Sequence, residues 1–245
     1  MKKGLTSNTL KIIAIITMLI DHIGYYLYPN LNSETYVLFR TIGRIAMPLF
    51  TFLIVQGFLH TKNLIKYIYR IFLLGLITQI CISILSYINI SYFPNYEATL
   101  YNYLNILFSY GLSLIILDVL YNTKIKKYIK IIISALILIL YFILPFDYGI
   151  RIPFIMIGLC FIEKLCPKNT FLDKTKYLSL ILVIFVLSLI LVENSVVNKY
   201  SMLLSLIFIA FYNGEKGNNN KFVKYSFYAF FPIHHTILYL IGLFS

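Results

Sequence analysis

Apolar runs follow one another along almost the whole chain, separated only by short polar loops. A helix needs roughly 20 predominantly apolar residues to cross the hydrocarbon core of a bilayer. Charged residues make up 12% of this chain, about half of the ~25% usual in soluble domains. Too little polar surface remains to coat a globule in water. The expected fold is therefore all-α, a polytopic transmembrane helical bundle. At about 20 residues per span, the chain has room for about nine spans and no separate soluble domain. Residues 1–245 form one integral membrane domain on this reading.

Clusters of polar residues, Pro and Gly mark the loops. They place spans at 9–28, 37–59, 64–88, 99–121, 128–145, 149–163, 177–193, 198–213 and 222–243. Met1–Ile20 begins with two lysines and turns apolar, as a signal peptide would. No small-x-small cleavage site follows, and Asp21-His22 interrupts the run, so it reads as an uncleaved first span. No internal repeat is visible.

The formal net charge is +12. In a membrane protein this excess marks cytoplasmic loops and contacts with anionic lipid, not nucleic acid. With the N-terminus inside, the inner segments hold Lys2, Lys3 and Lys11, then Lys62, Lys66 and Arg70. Lys124, Lys126, Lys127 and Lys130 follow, then Lys164, Lys168, Lys174 and Lys176, and finally Lys216, Lys221 and Lys224. These are 17 of the 21 basic residues. The outer loops keep Lys199, Glu34, Glu97, Asp147 and Glu193. The asymmetry predicts a multi-pass protein of the cell membrane, N-terminus in and C-terminus out. Cys81, Cys160 and Cys166 have no CxxC spacing, so neither a disulfide framework nor a zinc site is expected.

Arg40, Arg44 and Arg151 fall inside predicted spans. An intramembrane charge costs a few kcal/mol or more, so each is a functional candidate by default. Arg40 and Arg44 are four residues apart and share a helix face. Asp21 and His22 lie at similar depth on the neighbouring first span, and an Asp21 ion pair with Arg40 or Arg44 is one reading. His22 could act as a general base, or could be a buried histidine bonded to a carbonyl. His234 and His235 are adjacent on the last span and point about 100° apart. At most one is expected to face the interior, and the two are not expected to chelate one ion. His60, beside Lys62, reads as an interfacial histidine.

Lys11 and His22 are separated by eleven residues, about 16 Å of helix. A cation at the cytoplasmic surface and a histidine past the midplane suit a donor with phosphates at one end and a thioester at the other. Coenzyme A has that form.

Three stretches carry a family resemblance. They are LKIIAIITMLIDHIGYYLY at 10–28, FRTIGRIAMPLFTFLIVQGFLH at 39–60 with Arg70 and Gln79 following, and FYNGEKG at 211–217 with YSFYAFFPIHHTILYLI at 225–241. The chain resembles the TraX family over its whole length. The DHIG, GRIAMP and FYNG…FPIHH segments are the most specific. Residues 85–200 match mainly by hydropathy and by DYG at 147–149. The family is named for the protein that acetylates the N-terminal amine of conjugative F-pilin. It is related to membrane acyltransferases that begin with Arg-x10-His, where the histidine is taken as catalytic. Lys11-x10-His22 keeps the charge of that motif but not the bidentate fork of arginine.

The resemblance implies acetyl-CoA as donor and a peptide or glycan as acceptor. The candidate catalytic set is His22 with Asp21, Arg40 and Arg44, the arginines stabilising an oxyanion or anchoring an anionic acceptor. Lys11, His60, Lys62 and Arg70 are the candidates for holding the CoA phosphates. Gln79, Tyr228, His234, His235 and Arg151 are secondary candidates, and no metal is expected. Two rivals remain open. One is a transporter using the buried Asp, His and Arg as a path. The other is an assembly factor without activity. The acceptor and the oligomeric state are not legible.

Overall fold

The computed structural model describes residues 4–27, 31–92, 103–166, 171–191, 199–217 and 220–244. Of the residues that orient the chain, Lys2, Lys3, Glu97, Lys168 and Glu193 lie outside these. The helices are α1 (Ser7–Tyr26), α2 (Ser33–Gly43), α3 (Ala46–His60), α4 (Leu64–Tyr92), α5 (Ile106–Tyr121), α6 (Lys127–Ile143), α7 (Arg151–Leu165), α8 (Phe171–Ile190), a 3-10 helix (Lys199–Leu204), α9 (Ser205–Ala210) and α10 (Lys221–Phe244). Among the described residues, β pairing is limited to isolated bridges at Leu5–Tyr212 and Leu104–Phe146. The fold class is all-α, as composition requires.

Three described segments are long and apolar enough to cross a membrane: Ser7–Tyr26, Ser33–His60 and Leu64–Leu85. Helix α6 turns Ile131, Ile132, Leu136, Phe142 and Ile143 outward, and α8 does the same with Leu182, Val183, Leu187 and Ile190. Apolar outer faces of this kind suit lipid and not water. Among the described residues, the departures from the predicted spans are clearest at two places. The second span, 37–59, is two helices with a turn at Arg44-Ile45. Pro48 explains it: its ring would collide with the carbonyl four residues back, at Arg44, and it has no N–H to offer there. The expected span 198–213 is a 3-10 turn run into the short α9.

The chain divides into two compact units, Met1–Ile54 with Phe161–Ser245, and Val55–Cys160. In the first, α1 packs against α2 and α10. Two glycines permit the close approach to α2. A Cβ on Gly43 would lie 2.1 Å from the Asp21 Cβ, and one on Gly24 would lie 2.9 Å from the Phe39 Cβ. These are the glycines of the DHIG and GRIAMP stretches.

The FYNGEKG segment caps the start of α1. Leu5 N–H donates to the Phe211 carbonyl at 2.8 Å, and Asn213 N–H returns to the Leu5 carbonyl at 3.0 Å. Ser7 and Asn8 N–H groups donate to the Glu215 and Lys216 carbonyls at 2.8 and 3.1 Å. The first N–H groups of a helix have no intrahelical acceptor, so this segment satisfies donors that burial would otherwise orphan. Gly217 turns at φ 83°, where a Cβ would meet Thr6 Oγ1 at 2.6 Å. Because Ser7 meets Tyr212 and His22 meets His234, α1 and α10 run in the same direction.

In the second unit, α5 packs between α4 and α6. Asn105 caps α5 and clasps α4. Its Nδ2 donates to the Gly75 carbonyl and to Gln79 Oε1, both at 2.9 Å, and its backbone N–H donates to the same Oε1 at 3.0 Å. Gln79 Nε2 donates to the Tyr103 carbonyl at 3.2 Å. Gln79, a secondary site candidate, is thus engaged in joining α4 to the start of α5. Asn105→Ala should lower stability by about 2 kcal/mol, through a lost cap and unsatisfied buried acceptors. A thermal melt in detergent reads this, and an unchanged midpoint would show that the clasp is dispensable.

Arg151 lies at the start of its predicted span. It begins α7 and lies over the Tyr148 ring at 4.8 Å, beside a turn in which Tyr148 itself has φ 61°. It is a helix-terminal cation on an aromatic face, at one end of the predicted span 149–163.

A histidine cluster beside a charge triad

Adjacent residues of α1 send their side chains to different neighbours. Asp21 faces α2, and His22 faces α10. The reason is the helix itself, which turns about 100° per residue.

On the α2 side, Asp21 meets both arginines. Arg40 Nη1 lies 3.0 Å from Asp21 Oδ2, and Arg44 Nη2 lies 3.5 Å from Oδ1. The first is a charge-assisted hydrogen bond. The second is an ion pair too long for a well-formed hydrogen bond. Arg40 also donates to the Asp21 backbone carbonyl at 3.4 Å and lies over the Tyr25 ring at 5.5 Å. The i, i+4 spacing does bring both guanidiniums to one carboxylate. All three side chains are nearly buried, at 17% exposed or less. The triad carries one net positive charge.

On the α10 side, three imidazoles gather. His22 Nδ1 and His234 Nε2 are 2.7 Å apart, with the rings stacked at 4.9 Å between centroids. The His235 ring centroid is 4.5 Å from that of His22 and 4.4 Å from that of His234. Both α10 histidines are buried. The expectation that at most one faces inward is therefore wrong. The two residues sit on either side of the line on α10 that faces α1, so both side chains lean toward His22.

Hydrogen bonding fixes the tautomers of the neutral cluster. His234 Nδ1 lies 2.8 Å from the Phe230 carbonyl, which can only accept. The proton of His234 is therefore on Nδ1, and its Nε2 accepts from His22 Nδ1–H. That leaves the lone pair of His22 on Nε2. The Phe230 ring stacks on His234 at 4.7 Å and 5°. His235 Nδ1 pairs with the Tyr26 hydroxyl at 2.8 Å. Tyr26 was not among the residues the sequence singled out. Its position four residues after His22, one turn on the same face, was the available signal.

The remaining candidates lie elsewhere. Lys11 is three turns before His22 on α1, with its ammonium 5.5 Å from the Phe227 ring centroid. Tyr228 is half-buried on α10. His60, Lys62 and Arg70 are exposed at the α3–α4 turn and on α4, and His60 Nδ1 donates to the Gln56 carbonyl at 2.8 Å. They belong to the second compact unit, whereas Lys11 and the histidines belong to the first.

Chemically, the cluster offers a half-buried imidazole, His22, with one nitrogen held and the other carrying a lone pair. The arginines beside it pair with Asp21, the residue next to His22 on α1. That combination suits removal of a proton from an attacking group and stabilisation of developing negative charge.

The chain is similar to known proteins. A probable fimbrial assembly protein FimC, serogroup H1, of Dichelobacter nodosus is 29% identical over 236 residues, covering 94% of this chain and 92% of that protein. An uncharacterized protein of Rickettsia prowazekii (strain Madrid E) is 44% identical over 78 residues, covering 32% of this chain and 27% of that protein. No solved structure matches. The family model described as TraX protein matches residues 6–242, which includes every histidine and arginine of the cluster. The chain belongs to the TraX family.

Proposed function

We propose that the protein is a multi-pass cell-membrane acetyltransferase. It would move an acetyl group from cytosolic acetyl-CoA to an amine or hydroxyl near the outer side of the membrane. The observation that carries this is the 2.7 Å contact between His22 Nδ1 and His234 Nε2, which leaves Nε2 of His22 as the basic atom. The family membership and the motif Lys11-x10-His22, similar to the Arg-x10-His opening of membrane acyltransferases, support it. A relative named as a fimbrial assembly protein favours a pilin-like peptide with a free N-terminal amine as acceptor. A sugar amine or hydroxyl is the other chemical class.

The step balances as follows. His22 Nε2 takes the proton of the attacking amine as its nitrogen bonds to the thioester carbonyl carbon. The carbonyl oxygen becomes an oxyanion, which the Arg40 and Arg44 field stabilises. The carbonyl re-forms as the C–S bond breaks, and the departing thiolate takes back from His22 the proton that it removed, which restores the neutral imidazole and releases CoA thiol. Lys11, in the same unit as the histidines, would hold a CoA phosphate.

Topology is consistent with this direction of transfer. Parallel α1 and α10 support an odd number of crossings from one to the other, and the basic loops favour nine with the N-terminus in the cytoplasm. The decisive experiment mixes purified full-length protein with labelled acetyl-CoA and either a pilin-like N-terminal peptide or amino sugars. Label on the acceptor, matched by release of CoA thiol, is expected. No transfer to either class, with no thiol released, would overturn the reading. Solute uptake by proteoliposomes without acetyl-CoA would favour a transporter instead.

A further inference from the structure

A trio of imidazoles, two buried and one half-buried, is also a ligand set. His22, His234 and His235 offer ring nitrogens that all lie within 4.8 Å of one another. Their outer contacts have the form that metal-binding histidines use. Such a histidine commonly donates its other ring N–H to an acceptor, which fixes the tautomer and aims the remaining lone pair. His234 donates from Nδ1 to the Phe230 carbonyl. His235 can donate from Nδ1 to the Tyr26 oxygen. Each then presents Nε2. His22 presents Nδ1 to His234, and this nitrogen becomes a ligand once its proton moves to Nε2.

We propose that these three histidines bind one transition-metal dication, zinc being the best match, through His22 Nδ1 and the Nε2 atoms of His234 and His235. Imidazole ligands suit zinc, copper, iron and nickel, whereas magnesium and calcium want oxygen. In a tetrahedral zinc site, bonds of ~2.0–2.1 Å put ligand nitrogens about 3.3 Å apart. The His22–His234 pair, now at 2.7 Å, opens slightly, and the widest pair closes. Side-chain rotation supplies both movements.

Charge limits the affinity. Arg40 and Arg44 oppose a dication, and Asp21 cancels one of them. Three neutral imidazoles leave the fourth position open, and an anion such as hydroxide fills it. Metal and proton relay exclude each other, because the ion takes the His234 lone pair that holds His22 Nδ1–H. Zinc should therefore inhibit acetyl transfer. That consequence rests on the proposed activity, whereas the binding claim does not.

The test uses full-length protein in detergent, purified without a histidine tag and stripped with chelator. Cobalt(II), added as a coloured stand-in, should bind at one ion per chain, give the visible bands of a tetrahedral site and be displaced by zinc. His22→Ala, His234→Leu and His235→Leu should each weaken binding at least tenfold, and His60→Gln should leave it unchanged. A wild-type protein without tetrahedral bands overturns the proposal, and so do bands that persist in all three variants. Should a variant fail to fold, the wild-type spectrum alone decides. Zinc that binds but leaves transfer unchanged overturns the exclusion of relay by metal and not the site. A preparation that binds zinc but never transfers acetyl refutes the proposed activity and not the site.

Discussion

Replacing His22 with Ala should reduce acetyl transfer by about 10²–10⁴-fold, the usual contribution of a general base. The loss should appear in kcat, because His22 acts on the attacking proton and not on CoA binding. His234 is different in kind. It does not touch the acceptor on this mechanism; it holds His22 in the tautomer that exposes Nε2, and the Phe230 carbonyl holds His234 in turn. His234→Leu removes the acceptor for His22 Nδ1–H and leaves both tautomers available. We expect kcat to fall by about 10- to 100-fold, less than a lost base, with KM for acetyl-CoA unchanged. His234→Gln should recover part of that loss, because its amide oxygen can accept the same hydrogen bond. A Leu variant as active as wild type would remove His234 from the mechanism. Full activity in a folded His22→Ala variant would remove the mechanism itself.

The second large effect belongs to Asp21. Asp21→Ala would leave Arg40 and Arg44 nearly buried without their carboxylate. Breaking one partner of a buried ion pair costs about 3–5 kcal/mol. The melting midpoint in detergent, followed by circular dichroism, should drop sharply. Replacing all three charges with Leu or Met of similar volume should restore most of the stability, since a buried charge cluster is often no better than an apolar one. That triple variant separates two roles. If it is stable but transfers no acetyl group, the arginines act on the reaction. If it is stable and active, the triad is structural only. Gly43→Val provides a steric counterpart, because its Cβ would sit 2.1 Å from the Asp21 Cβ. It should separate α1 from α2 and lower stability without changing any charge.

Much of this was legible in the sequence, for identifiable reasons. Continuous apolar runs of about 20 residues point to membrane-spanning helices, since a barrel strand would be about half that length and would alternate. The four-residue spacing of Arg40 and Arg44 revealed their shared face. The intramembrane cost of Asp21 and His22 marked them as unusual. What was missed depends on side-chain direction. Ideal helical angles put His234 and His235 about 100° apart, but both can lean across a helix interface. Pro48 announced the break at Arg44, yet the continuous apolar pattern from 37 to 59 masked it. Gln79 was a secondary candidate, named with the stretches that carry the family resemblance. Its two partners, Tyr103 and Asn105, lie over twenty residues away, and no local pattern reveals them.

The two halves of the α1 surface become complete at different times during synthesis. Asp21 finds Arg40 and Arg44 on the next helix to emerge, so its charge is neutralised almost as soon as it enters the membrane. His22 must wait for His234, the whole of α2 to α9 later. The cap of α1 waits nearly as long, since it comes from residues 211–217. A chain stopped before α10 would keep a stable helix pair and hold no relay. Activity would therefore arrive with the last helix to dock, which keeps an unfinished chain chemically silent while it is still being threaded into the bilayer.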